Sequence, residues 1–302
     1  MSLFDNIVEQ ALRNSQAMAT LRPVVEKEIL HHDIMRELNQ AGLLQQLTFI
    51  GGTCLRACYG SNRLSEYLDF TGGRDFNASQ LHSLKTTLEQ CLGQKYDLPI
   101  TVTEPKPVRH GNVDTWKLRV DTRPERRDMP AQRINLDICS IPSYQVMPRT
   151  LLNLYEVDLG TGNLVINAQS REEIFTDKLI AFAMRRGRVK NRDLWDMAWL
   201  AQRQVEPAYE LLANKIVDHG VAESDFREHS QSRLAQLKDD PESRAAFEQE
   251  MLRFLAPATV EKTIRQEGFW AYLIQTVTMH VEQGIARLAQ TGDNETGPEF
   301  PM

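Results

Sequence analysis

Gly51-Gly52-Thr53 lies where a short apolar run, Leu47-Thr48-Phe49-Ile50, meets a helix-forming stretch that Gly60 closes. Two glycines let a backbone approach a phosphate, and a helix N-terminus offers free N–H groups and the positive end of a dipole. Alone, such a pair is more often a tight turn. Farther on, Ser65-Glu66-Tyr67-Leu68-Asp69-Phe70 reads as a strand. Alternation sends Leu68 and Phe70 to the core, and Ser65, Tyr67 and Asp69 to the opposite face beside the glycine turn. Ile134-Asn135-Leu136-Asp137-Ile138-Cys139 alternates in the same way and places Asp137 opposite its apolar residues. Paired carboxylates on the polar side of a sheet are the arrangement used in two-metal phosphoryl transfer. Each aspartate by itself is equally the polar half of an amphipathic strand.

A second group of candidates is cationic. Lys178 precedes Arg185 by seven residues, so the two share a helix face. Arg185, Arg186, Arg188, Lys190 and Arg192 follow in a short span, with Asp193 and Asp196 directly after. The chain as a whole carries −6, from 35 Lys+Arg against 41 Asp+Glu. That balance excludes a surface basic all over, and it makes a focused basic turn stand out as a phosphate site. A charge run of this kind is more often a solvated helix end.

These groups need elements to hold them. The first 50 residues carry apolar side chains at helical spacing, interrupted at Pro23, and residues 78–92 predict another helix. Residues 99–141 alternate. Trp116, Leu118 and Val120 share one core face; Ile134, Leu136 and Ile138 share another; the charged stretch from Arg123 to Pro130 reads as an exposed loop. Gly160-Thr161-Gly162 is a turn, and Leu164-Val165-Ile166 an extended segment. From residue 170 the pattern is helical. Ser170-x-x-Glu173 is a capping box, and helices are expected over 192–204, 205–219, 241–255 and 266–290. The expected architecture is α/β over residues 1–167, all-helical over 168–290, and a disordered tail over 291–302.

With 302 residues, 41% apolar and 25% charged, the composition is that of an ordinary globular chain. No run of 18 apolar residues occurs, and the start lacks a signal-peptide pattern, so neither a membrane span nor a leader is expected. Cys54, Cys58, Cys91 and Cys139 are too scattered for a disulfide framework and read as buried thiols of a reducing cytoplasm. His31, His32, His82, His110, His219, His229 and His280 show no metal-ligand spacing. Trp116, Trp195 and Trp199 read as core. The apolar face over Phe269–Ile274 and Val277–Leu288 is expected to pack inside its domain rather than against a partner.

Taken in order, Gly51 to Gly60, Arg63 to Phe70, Asp137, Asp177-Lys178-Leu179-Ile180-Ala181 and Arg192-Asp193-Leu194-Trp195-Asp196 resemble the AbiEii-like nucleotidyltransferase toxins of abortive-infection and type IV toxin–antitoxin systems. The match runs over about residues 45–200. The resemblance implies a nucleotidyltransferase-fold mixed-sheet domain followed by an all-helical domain. It implies a cytoplasmic antiviral toxin that binds an NTP with Mg²⁺, transfers a nucleotide to an acceptor, tRNA in some members, and is opposed by a cognate antitoxin. It assigns metal binding to Asp69 and Asp137 and triphosphate contacts to Gly51, Gly52, Thr53, Ser65, Lys178, Arg185 and Arg192. Asp193 then positions Lys178, the nucleotide or the acceptor, with Asp196 in support; Asp69, Asp137, Lys178 and Asp193 form the catalytic set.

One position departs. The family's block usually reads Ser-Glu-Asp-Leu-Asp-Phe, and here Tyr67 replaces the first aspartate, a metal ligand. A phenol is a poor substitute for a carboxylate on Mg²⁺, and alternation turns Glu66 to the other face unless a bulge intervenes. The readings are a catalytically degenerate protein that binds nucleotide, RNA or antitoxin, an enzyme with one strong metal site, or a disarmed toxin.

Overall fold

Pro23 opens a helix instead of breaking one: it sits in the first turn of α2 (Arg22–Gln40), where its missing N–H has no partner to lose. The computed structural model describes residues 2–106, 111–126 and 128–295; His110, Arg127 and the end of the chain from residue 296 fall outside. It divides into two units. One contains the chain up to Gln169 plus Leu252–Glu261, and the other contains Ser170–Met251 and the chain from Lys262 on.

The first unit begins with α1 (Leu3–Asn14), a 3₁₀ segment and α2. β1 (Thr48–Ile50) runs directly into α3 (Gly51–Tyr59), which Gly60 ends in the left-handed conformation at φ +73°. β2 covers only Leu68–Thr71, so the expected strand from Ser65 is corrected at its start. Side chains, not a ladder, hold the backbone there: the Ser65 amide donates to Glu28 Oε1 at 2.9 Å, and the Thr53 hydroxyl donates to the Tyr67 carbonyl. After a 3₁₀ turn come α4 (Leu84–Tyr96), β3 (Ile100–Thr103), β4 (Val113–Val120), β5 (Gln132–Cys139), β6 (Val146–Thr150) and β7 (Val165–Gln169).

The seven strands form one mixed sheet in the order β3-β4-β5-β2-β1-β7-β6. β5–β2 and β1–β7 are parallel pairs, and the other neighbours are antiparallel. Trp116, Leu118 and Val120 of β4 and Ile134, Leu136 and Ile138 of β5 are buried, as their period-two spacing predicts. Helix α2 packs on β5 and α4 on β3, and the alternate residues of β4 and β5 remain half-buried or exposed.

The second unit is helical: α5 (Arg171–Met184), α6 (Asn191–Ala201), α7 (Leu212–Asp218), α8 (Glu223–Asp239) and α9 (Pro241–Met251). Ser170 caps α5 by accepting from the Glu173 amide at 3.0 Å. Sequence reading misses α8, whose buried stripe is thin (Phe226, Ser230, Leu234 and Leu237) on an otherwise polar helix. α10 (Pro257–Lys262) begins within the segment that belongs to the sheet unit, and α11 (Phe269–Glu295) closes the described chain. α11 continues past residue 290, so the tail expected from Thr291 is helical as far as Glu295. Its Phe269, Leu273, Val277, Val281 and Leu288 are buried, while Tyr272 and Met279 are exposed.

Candidate active site: a carboxylate pair and a buried cation cluster

In the sheet unit, Asp69 of β2 pairs in register with Asp137 of β5 in a parallel ladder. In-register neighbours of a ladder point to the same face, and strands lie about 4.8 Å apart. Both residues are half-buried. Thr115, opposite Asp137 on β4, donates its hydroxyl to Asp137 Oδ1 at 2.6 Å and fixes that carboxylate. Sequence reading missed this residue, because only the register reveals it.

Asp69 lies against the start of α3. Gly51 adopts φ +74°, and a Cβ there would stand 3.1 Å from Asp69 Oδ2. The glycine is therefore required twice, for its backbone angle and for the room it leaves the carboxylate. Ile50, at the N-cap, has no oxygen to offer the first-turn amides. A carboxylate pair thus adjoins a helix start that carries no side-chain cap. The Thr53 hydroxyl is 2.6 Å from that of Ser65, and both residues are buried. These two hydroxyls brace α3 against the chain leading to β2, and Tyr67 lies just before that strand, half-buried.

Two carboxylates with hard oxygens suit a divalent cation such as Mg²⁺, which takes one or two protein carboxylates and completes its shell with phosphate oxygens and water. Among the described residues no cluster of three or more His, Cys, Asp or Glu side chains could hold a metal; Asp69 and Asp137 offer two carboxylates on one face.

In the helical unit, Lys178 reaches Asp193 Oδ1 at 2.6 Å and Asp196 Oδ2 at 2.9 Å, and Arg185 reaches Asp193 Oδ2 at 3.2 Å. Lys178, Asp193 and Asp196 are all buried. Burial pushes the Asp193 carboxyl up, but Lys178, Arg185 and Lys190 together outweigh it and hold the group down at about 2. Lys190 responds the other way: burial, then Arg192 and Arg185, lower it to about 8. Arg186 and Arg188 are exposed in the turn. Arg192 lies 3.3 Å from Glu250 of α9. Asp177 pairs at 2.6 Å with Lys215, a buried lysine that also meets Glu173 at 2.7 Å and that sequence reading missed.

A mixed α/β sheet unit with a helical unit after it is the architecture of the nucleotidyltransferase class. The nucleotidyltransferase toxin MenT4 from Mycobacterium tuberculosis H37Rv is similar in fold, with a TM-score of 0.50 at 17% identity over 93% of this chain and 98% of that one. Two Helicobacter pylori structures, the second being JHP933, align at TM-scores of 0.46 and 0.41 with 21% and 19% identity. They cover 87% and 89% of this chain and 98% and 97% of their own. No curated protein matches. The nucleotidyl transferase AbiEii toxin family of type IV toxin–antitoxin systems matches over residues 33–273. The chain belongs to that family of nucleotidyltransferase toxins.

Proposed function

We propose that this protein is a Mg²⁺-dependent toxin that transfers a nucleotide from an NTP to an acceptor hydroxyl, that of tRNA, in the cytoplasm, and that a cognate antitoxin opposes it. The observation that carries this reading is the in-register pairing of Asp69 with Asp137 beside the uncapped start of α3. In the reaction the acceptor oxygen forms a bond to the α-phosphorus, the α–β phosphoanhydride bond breaks, and pyrophosphate leaves with its electron pair. The acceptor proton passes to solvent. Asp69 and Asp137 would hold Mg²⁺, which when bound offsets the charge on the reacting phosphate oxygens. The backbone amides of Gly51, Gly52 and Thr53 donate to phosphate oxygens at the helix start. Ser65 acts through Thr53, whose hydroxyl it engages. Lys178, Arg185 and Arg192 supply positive charge for phosphates, and Asp193, with Asp196, fixes the Lys178 ammonium.

Tyr67 supports a second reading: a protein that binds nucleotide or antitoxin without turnover. Label transfer from radioactive NTPs to total tRNA with Mg²⁺ separates the two. Transfer by the native chain, abolished by Asp137→Asn, supports the enzyme. Silence in the native chain and in Tyr67→Asp, with NTP binding retained, supports the binding protein. Among the described residues no helix is long and apolar enough to cross a bilayer.

A further inference from the structure

Arg119 of β4 stands directly opposite Arg133 of β5. Two residues along β4, Lys117 faces Asn135, and Thr101 and Thr103 of β3 lie opposite Arg119 and Lys117. All but Asn135, which is half-buried, are exposed. Alternation places them on the sheet face that carries Asp137, with the apolar residues of β4 and β5 on the other. Like charges directly opposite each other weaken a sheet. Among the described residues, Asp121, past the end of β4, lies 3.9 Å from Arg119; Arg119 is exposed and Asp121 half-buried. A fold that keeps two arginines face to face on an open sheet presents them to something anionic.

The placement indicates what that is. Arg133 is four residues from Asp137 along β5, about 13 Å at the usual strand rise. Lys117 is two residues from Thr115, which faces Asp137. The cations therefore form a strip that leads away from the carboxylate pair. Their rows repeat about every 6.7 Å along the strands, with threonine hydroxyls beside them. No aromatic side chain lies among them to form the buried centre of a protein interface. We propose that Lys117, Arg119 and Arg133, with Thr101 and Thr103, bind the phosphodiester backbone of a single-stranded nucleic acid. That its end reaches Asp69 and Asp137 rests on the nucleotidyl-transfer reading; the binding itself does not.

The test uses the full-length protein and a fluorescein-labelled single-stranded RNA dodecamer, followed by anisotropy across a KCl titration. The native chain is compared with K117Q/R119Q/R133Q. Three lost phosphate contacts should flatten the slope of log K against log salt by about 2 and weaken binding about a hundredfold at 0.1 M salt. Binding of a fluorescent NTP should not change, and the thermal midpoint should hold or rise as the Arg119–Arg133 repulsion is relieved. A folded triple variant with native slope and affinity overturns the proposal. So does loss of binding to polyglutamate with RNA affinity intact, which would make the strip a dock for an acidic protein. Loss of RNA binding in the variant, together with no label transfer by the native chain, sustains the strip and defeats the enzyme reading. Native-level transfer with native RNA affinity in the variant defeats the strip alone.

Discussion

Gly51 and Asp69 constrain each other at the point where phosphate chemistry is proposed. A methyl at Gly51 would take on a positive φ and crowd Asp69 Oδ2 at 3.1 Å. Gly51→Ala should therefore cost about 1–2 kcal/mol from the backbone alone and should also push the carboxylate out of line with Asp137. The expected outcome is a lower thermal midpoint in calorimetry, with Mg²⁺-dependent NTP binding weakened more than the midpoint shift explains. Thr115→Val tests the other carboxylate. It removes the 2.6 Å hydrogen bond to Asp137 with little change of volume. It should leave the fold within about 1 kcal/mol, the usual net worth of one hydrogen bond, while reducing transfer or Mg²⁺-dependent binding. Sequence alone pointed to Gly51, Asp69 and Asp137 because glycine before a helix and aspartate in an alternating strand leave local signatures. Thr115, Arg119 and Arg133 left none, since their importance lies in what stands across the ladder.

At the scale of elements, α5 and α6 are tied by charge as well as by apolar packing. Lys178 on α5 meets Asp193 and Asp196 on α6, all three buried. Removing one partner strands the others, so Lys178→Met should destabilise the protein by about 3 kcal/mol or more, and adding Asp193→Asn should recover part of that loss. Chemical denaturation of the three proteins checks it. The same carboxylate gives an acid limb. Asp193 is held at about 2, below the ordinary carboxylate value of 3.8. Its contribution is thus complete above about pH 4 and is lost as pH falls toward 2. Lys190 acts on the alkaline side. Lowered to about 8 from 10.5, it carries its proton below pH 8 and loses it above. Tripolyphosphate affinity should be level below about pH 8 and decline above it, by isothermal titration, with the decline removed in Lys190→Arg. The seven-residue spacing from Lys178 to Arg185 made their shared face legible in advance, and both do reach Asp193. The strand start at Leu68 was not legible, because buried Glu28 and Thr53 take the backbone groups that alternation would give to a ladder.

Across the whole molecule, the net charge of −6 is an average over regions of opposite character. An acidic chain with a cationic strip on one sheet and a cationic turn in its helices admits a polyanion at chosen places and repels it elsewhere. Chain connectivity is equally uneven. Leu252–Glu261 belongs to the sheet unit although the chain on either side belongs to the helical one. Its Phe254 and Leu255 are fully buried, and the Leu64 amide donates to the Phe254 carbonyl at 2.9 Å. Sequence reading placed this stretch at the end of a helix running to residue 255, since a short apolar segment between helices carries no mark of the unit it joins. The sheet unit therefore depends on a segment supplied from far along the chain. Phe254→Ala should cost about 3–5 kcal/mol, the range for emptying a buried phenylalanine site. The loss should fall on the sheet unit. Amide exchange is expected to accelerate in β1, α3 and the approach to β2, around Leu64 and Ser65, and to stay near native in α6 and α11. Equal acceleration in both units would mean that the segment stabilises the whole chain rather than the sheet unit it packs in. Because α3 and β2 carry Gly51 and Asp69, the same variant should weaken Mg²⁺-dependent NTP binding at temperatures below its unfolding transition.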